Sequence, residues 1–252
     1  MFTWLLDVLF PPVCLNCRQS VKSGESICIS CFSNIKIFNT LFCGKCRARL
    51  PSIALAPGLR SQSGSFGGVG KESLVTIKKI CHKDFPYLLG AAADYQDETV
   101  KQLVRSLKFG FIKSAAGSLA SLLVSYAEGV NYRITAFTVI PIPLSRARER
   151  KRGFNQSFLI AKIFAGHFGL ELNPNILVRD KNTMAQSEIK DFEKKRDNVK
   201  NCFSIKSLDS VNGKNFILID DVVTSGATFF EAASALKRAG AKKIIALAAA
   251  KS

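Results

Sequence analysis

The chain has 252 residues, 47% hydrophobic and 22% charged. That length supports a full core in one or two domains, and the composition excludes a disordered or fibrous chain. Lys and Arg outnumber Asp and Glu by 36 to 19, and the resulting +17 suits phosphorylated metabolites, nucleic acid or anionic membranes as partners without specifying a fold.

The N-terminus, MFTWLLDVLFPPVC, has the apolar character of a signal peptide but not its layout. It lacks a basic start, Asp7 interrupts the apolar run, and Pro11 and Pro12 end it. No other apolar run reaches the ~18 residues of a membrane span. A cytoplasmic protein without a membrane span is therefore expected, with Met1 to Leu9 as a short amphipathic helix stopped by the prolines.

In a reducing compartment, CxxC pairs are metal or redox sites rather than disulfides. Three follow: Cys14-Leu-Asn-Cys17, Cys28-Ile-Ser-Cys31 and Cys43-Gly-Lys-Cys46. Two intervening residues let both thiolates reach one ion from a tight knuckle, and two knuckles complete a tetrahedral Cys₄ zinc site. Cys14, Cys17, Cys28 and Cys31 make one complete structural site. Cys43 and Cys46 lack a partner pair, since Cys81 is the only later cysteine before the α/β region. His82 adjoins it, but neighbours in an extended chain point to opposite sides, so joint ligation requires a sharp bend. Pro51 to Glu72, rich in Pro, Gly and Ser, is expected to be a flexible insertion. Its GGVGKE departs from a nucleotide-binding P-loop at three points and is discarded.

From Tyr87 the pattern alternates, dividing the chain into a cysteine-rich module (1–86) and an α/β domain (87–252). Strands are expected at 87–95, 136–142, 175–178 and 243–249. Helices are expected at 97–109, closed by a Gly110 cap, at 114–127, from the basic run to residue 168, and at 228–239 with Gly240 beyond the end. This is an α/β protein with a mostly parallel sheet flanked by helices, and ligands of such sheets sit beyond the carboxyl ends of the strands.

Three segments carry chemistry. Phe216 to Ile219 is a short apolar strand, with Asp220 and Asp221 expected at its end. Thr224, Ser225, Gly226, Ala227 and Thr228 then lead into a helix. A helix N-terminus offers free N–H groups and positive dipole to a phosphate. Gly226 permits close approach, and the paired carboxylates suit ribose hydroxyls or a substrate-borne Mg²⁺. The second segment follows Pro141-Ile-Pro143. Arg146, Arg148, Arg150, Lys151 and Arg152 form either a diphosphate clamp or a solvated basic face. Asn155 and Gln156 are site amides or a helix cap. The third, Arg179 to Lys200, is polar and charged and is expected to be a mobile loop able to close over a charged intermediate, with Arg179, Gln186, Arg196 and Asn198 its candidate residues.

The run FILIDDVVTSGAT resembles the ribose-phosphate loop of type I phosphoribosyltransferases. The order of a cysteine-knuckle module, LKFG, PIPL…RGFNQS, R…Q…R-x-N-V and ILIDDVVTSGAT is similar to the ComF family of competence-associated proteins. That resemblance covers nearly the whole chain. It implies a phosphoribosyltransferase-type domain joined to an N-terminal double zinc ribbon. It also implies a cytoplasmic role in which incoming single-stranded DNA is handled with a helicase-like partner. Asp220, Asp221 and Thr224 to Thr228 would then bind the ribose 5-phosphate of phosphoribosyl pyrophosphate with Mg²⁺, and 141–152 would lie near its pyrophosphate. The family usually supplies a fourth CxxC pair, and here Lys78 stands where its first cysteine belongs. The second zinc is completed by His82 or water, or is lost. The resemblance implies a protein that binds this or a related sugar phosphate and serves DNA uptake. Its rivals are a non-catalytic adaptor for single-stranded DNA or a partner, and a transferase of nucleotide salvage.

Overall fold

In a computed structural model of the chain, residues 11–50, 52–53, 76–77, 81–132, 134–180 and 202–252 are described. The expected N-terminal helix, GGVGKE, Gln186, Arg196 and Asn198 lie outside them, as does most of the 51–72 insertion. At the margins of that insertion, β2 (Ser52–Ile53) pairs antiparallel with β3 (Thr76–Ile77).

The sheet that positions the site has the order β1-β4-β10-β9-β5-β6. Its members are β1 (Phe42–Cys43), β4 (Leu88–Asp94), β5 (Phe137–Pro141), β6 (Glu171–Leu172), β9 (Asn215–Val223) and β10 (Lys243–Lys251). The pairings from β4 through β6 are parallel, and only the β1–β4 pairing is antiparallel. The two central strands have apolar residues on both faces, as a sheet covered on both sides requires. On β9, Ile217 and Ile219 enter one buried cluster while Phe216 and Leu218 enter the other.

The first cluster holds α2 (Glu98–Lys108), α3 (Ala115–Val130) and α5 (Gln156–Phe168). Val100, Leu103, Val104 and Leu107 are spaced to line one side of α2, and all four are buried. The cysteine-rich module, with its short helix α1 (Ile29–Ser33), belongs to the same core through Cys14, Ile27, Cys31 and Ile35. Ser26 and Ser118 share a 2.8 Å hydrogen bond, and the Tyr126 hydroxyl donates to the Thr40 carbonyl at 2.7 Å. The other face is covered by α6 (Ala227–Arg238) and by the antiparallel pair β7 (Leu177–Arg179) and β8 (Phe203–Ile205).

Four expectations are corrected. Gly110 does not cap α2: the cap is Phe109, and Phe111 takes the left-handed conformation at φ 55°. The basic run is a helix of its own, α4 (Arg146–Arg152), closed by Gly153 at φ 77° before α5 begins. The run to residue 168 is therefore two helices, because a left-handed residue ends the hydrogen-bond ladder. Arg179 is not part of an exposed loop. It ends β7 and is buried, its guanidinium 5.4 Å from the Phe203 ring centroid. The fourth correction concerns the acidic pair.

Candidate functional site

Asp220 and Asp221 do not lie beyond their strand, because β9 continues through them to Val223. What ends is the neighbour. The β5 register stops at Pro141 opposite Ile219, and Ile142 N–H donates to the Ile219 carbonyl at 2.9 Å. On the other side Ala248 is still paired with Asp220 and Lys251 with Val223. The carboxylates thus stand where the sheet loses one strand and keeps the other, at a carboxyl-end crevice.

Each carboxylate is anchored. Ser157, fully buried in the first turn of α5, donates through Oγ to Asp220 Oδ1 at 2.7 Å, and Asp221 N–H donates to the same oxygen at 2.9 Å. Asp221 Oδ1 accepts from Val222 N–H at 2.8 Å, while Lys108 Nζ at the end of α2 lies 3.1 Å from Asp221 Oδ2. Burial, with the Asp221 charge second, pushes the Asp220 carboxyl up to about 7. Lys108 and the hydrogen bonds from Ser157 and Asp221 N–H pull the other way.

Five residues beyond Asp221, Gly226 takes φ +75° and ψ 0° as the residue before α6, whose 12 residues direct their first N–H groups back along the loop. Ser225 Oγ accepts from Ala227 N–H at 3.3 Å. The Gly226 carbonyl accepts from Phe230 N–H at 2.9 Å and from the buried Tyr87 hydroxyl at 3.3 Å. A Cβ on Gly226 would come within 3.0 Å of that hydroxyl. Thr224, Ser225, Gly226 and Thr228 are half-buried.

The basic run divides. Arg146, Arg150 and Lys151 are exposed, whereas Arg148 and Arg152 are half-buried. Arg152 Nη1 donates to Gln156 Oε1, and Gln156 is buried. Burial lowers the Arg152 pKa, and the negative charges of Asp221 and Asp220 oppose that shift. Arg152 is therefore within electrostatic reach of the acidic pair. Arg179 is too: burial lowers its pKa, while Cys202 and Asp220 raise it. Of the two readings of Asn155, the cap is realised. Its Oδ1 accepts from Ser157 and Phe158 N–H groups, and its amide donates to the Ile142 carbonyl.

Lys108 and Ser157 were missed by residue-level reasoning. Their signal lay in the runs LKFG and RGFNQS, read there as a helix end and a helix start. Their distance in sequence from Asp220 and Asp221 hid the contacts.

The cysteines form two clusters, Cys14/Cys17/Cys28/Cys31 and Cys43/Cys46/Cys81/His82, each with its ligand atoms within 4.8 Å of one another. A tetrahedron with ~2.3 Å Zn–S bonds has edges of about 3.8 Å, so both sets fit zinc. Cys17 Sγ and Cys28 Sγ are 3.6 Å apart, Cys46 Sγ and Cys81 Sγ 3.4 Å, and Cys43 Sγ and His82 Nδ1 3.4 Å. The chain bends at Cys81, which lets adjacent residues face one point. Cys43 lies on β1, opposite Leu88 of β4, so the second cluster is built onto the edge of the main sheet.

Residues 5–58 match the double zinc ribbon domain and residues 156–251 the phosphoribosyl transferase domain. Competence protein ComFC of Bacillus subtilis (strain 168) is 38% identical over 221 residues, 87% of this chain and 81% of that protein. The chain belongs to the ComF family. Other members similar to it are Competence protein F of Haemophilus influenzae, 25% identical over 92% of this chain and 93% of that one, and DNA utilization protein YhgH of Escherichia coli K12, 27% identical over 92% and 87%. The ComF chain described here thus carries an α/β phosphoribosyltransferase domain with a mostly parallel sheet, and cysteine clusters suited to zinc. Cys81 and His82 fall outside the span matched to the double zinc ribbon. Among the described residues no helix is long and apolar enough to cross a membrane.

Proposed function

We propose that Asp220, Asp221 and the loop Thr224 to Thr228 bind the ribose 5-phosphate part of phosphoribosyl pyrophosphate or a related sugar phosphate, and that the protein serves DNA uptake in the cytoplasm. The observation that carries the reading is the passage of β9 from an acidic pair, at the point where β5 ends, to a left-handed glycine at the start of α6. A phosphate suits the α6 N-terminus and hydroxyls suit the carboxylates. The all-oxygen donor set at Asp220 and Asp221 also fits Mg²⁺, which neutralises substrate phosphates when bound. Arg152 and Arg179, both held near Asp220, supply cations for a diphosphate. The competence and DNA-utilization names of the relatives favour a role with incoming single-stranded DNA and a helicase-like partner.

A second reading, a non-catalytic adaptor for nucleic acid, draws on the exposure of Arg146, Arg150 and Lys151, which leaves them to an outside polyanion. Calorimetry with phosphoribosyl pyrophosphate, with and without Mg²⁺, decides between them. The first reading expects Mg²⁺-dependent binding that is lost in Asp221→Asn. Absence of binding heat from the wild-type protein, alongside affinity for a single-stranded oligonucleotide, selects the adaptor.

A further inference from the structure

Arg47 belongs to the second metal cluster by sequence and to the phosphate loop by position. It follows Cys46 directly, and its N–H donates to the Cys43 carbonyl at 2.9 Å, which closes the knuckle. The closure holds Arg47 at φ 59°, in the left-handed region that a residue with a long side chain rarely adopts. The first cluster repeats the turn: Arg18 follows Cys17, its N–H donates to the Cys14 carbonyl at 3.0 Å, and its φ is 65°. The side chains differ. Arg18 is exposed, whereas Arg47 is half-buried, with Nη2 4.0 Å from the point a Cβ on Gly226 would occupy.

The knuckle is fixed against the loop. Cys43 pairs with Leu88 of β4, and a Cβ on Gly44 would lie 2.6 Å from the Tyr87 carbonyl oxygen, so the turn sits directly on the start of that strand. Tyr87 in turn donates from its hydroxyl to the Gly226 carbonyl at 3.3 Å. Burial raises the Tyr87 pKa and the Arg47 charge opposes that shift, as a cation near the hydroxyl must. Among the described residues the Arg47 guanidinium has no ion pair and no hydrogen bond. A partly desolvated cation of this kind gains most from an anion that brings several acceptor oxygens.

The phosphate loop has the converse need. The N-terminus of α6 is equivalent to roughly half an elementary charge, while a phosphate monoester carries about −1.5 to −2 near neutral pH. Backbone N–H groups alone leave most of that charge uncompensated. We propose that Arg47 is a ligand to the phosphate held by Thr224 to Thr228, so that the second metal ribbon completes the sugar-phosphate site. This deepens the sugar-phosphate reading and rests on it. Arg47 serves the 5-phosphate end of the ligand, whereas Arg152 and Arg179 stand within electrostatic reach of Asp220 for the diphosphate.

The test is calorimetry of the zinc-loaded full chain with two probes, phosphoribosyl pyrophosphate and inorganic pyrophosphate, each with Mg²⁺. Arg47→Gln is expected to weaken phosphoribosyl pyrophosphate roughly 10- to 100-fold, the loss of one charge-assisted contact, and to leave pyrophosphate near wild type. Arg47→Lys keeps the charge without the planar fork and is expected to recover part of the affinity. Arg18→Gln makes the same change in the same backbone conformation at the exposed knuckle, and is expected to bind both probes like wild type. The proposal is overturned if Arg47→Gln binds phosphoribosyl pyrophosphate like wild type, or if Arg18→Gln loses as much. Equal weakening of both probes by Arg47→Gln also overturns it, because that marks a structural role. Failure of the wild-type chain to bind phosphoribosyl pyrophosphate removes the sugar-phosphate reading and Arg47 with it, whereas binding untouched by Arg47→Gln removes Arg47 alone.

Discussion

Lys108 Nζ lies 3.1 Å from Asp221 Oδ2, joining the last turn of α2 to the carboxylate pair on β9. Asp221 is 3% exposed and Lys108 25%, so the pair sits at the edge of the interior rather than in bulk solvent. Removing one partner of a buried pair typically costs roughly 3–5 kcal/mol, and partial solvation of Lys108 brings this to about 2–3 kcal/mol. Lys108→Met is therefore expected to lower the melting temperature by about 5–10 °C. An unchanged thermal transition would show that Asp221 does not depend on the ammonium.

Asp220 gives the protein a definite pH response. Its folded pKa of about 7 lies above the ordinary carboxyl value near 4. Between those values the folded chain keeps a proton that the unfolded chain releases, so this group's contribution to stability falls as pH rises through the window. Asp220→Asn retains an acceptor for Ser157 and cannot ionise. Its melting temperature relative to wild type is expected to rise steadily from about pH 4 to about pH 8. A constant difference across that range contradicts the raised pKa.

The two cysteine clusters predict two zinc ions per chain. Elemental analysis of His82→Ala is expected to find one, with Cys14→Ser removing the other independently. If His82→Ala keeps both ions, the thiolates of Cys43, Cys46 and Cys81 hold the second ion without the imidazole. Stripping both ions with a chelator is expected to lower the melting temperature, since the buried Cys14, Cys31 and Cys43 belong to the shared core.

At Gly226 the backbone conformation itself is at stake. A side chain at φ +75° costs roughly 1–2 kcal/mol, and the Cβ would also press on the Tyr87 hydroxyl at 3.0 Å. Gly226→Ala is expected to lose about 3–6 °C in melting temperature and to weaken sugar-phosphate binding more than Gly213→Ala, which has open space around it. Equal losses at the two positions would reduce the effect to backbone strain alone.

Much of the fold was legible because its signals are local. The apolar runs that predict strands at 87–95, 136–142, 216–219 and 243–249 meet β4, β5, β9 and β10, and the spacing of Val100, Leu103, Val104 and Leu107 predicts the buried side of α2. Helix ends were less legible. Phe109 and Gly153 cap because of where the chain turns next, and that depends on packing beyond the helix. The extent of β9 was misjudged for a related reason. Carboxylates usually mark a strand end, but pairing with β10 carries the strand on through Asp220 and Asp221.

The site divides along the same line. Sequence alone determined the first Cys₄ cluster and the succession of acidic pair, glycine and helix start, since each is a contiguous pattern whose chemistry follows from spacing. Only the tertiary structure brought Lys108 and Ser157 to the carboxylates, placed Arg152 and Arg179 within electrostatic reach of the acidic pair, and bent the chain so that Cys81 and His82 meet Cys43 and Cys46. These partners lie on other elements, and nothing in a linear pattern encodes which distant side chain will neutralise a buried charge. That choice is made by the sheet order and by the cost of leaving a carboxylate or thiolate uncompensated in the interior.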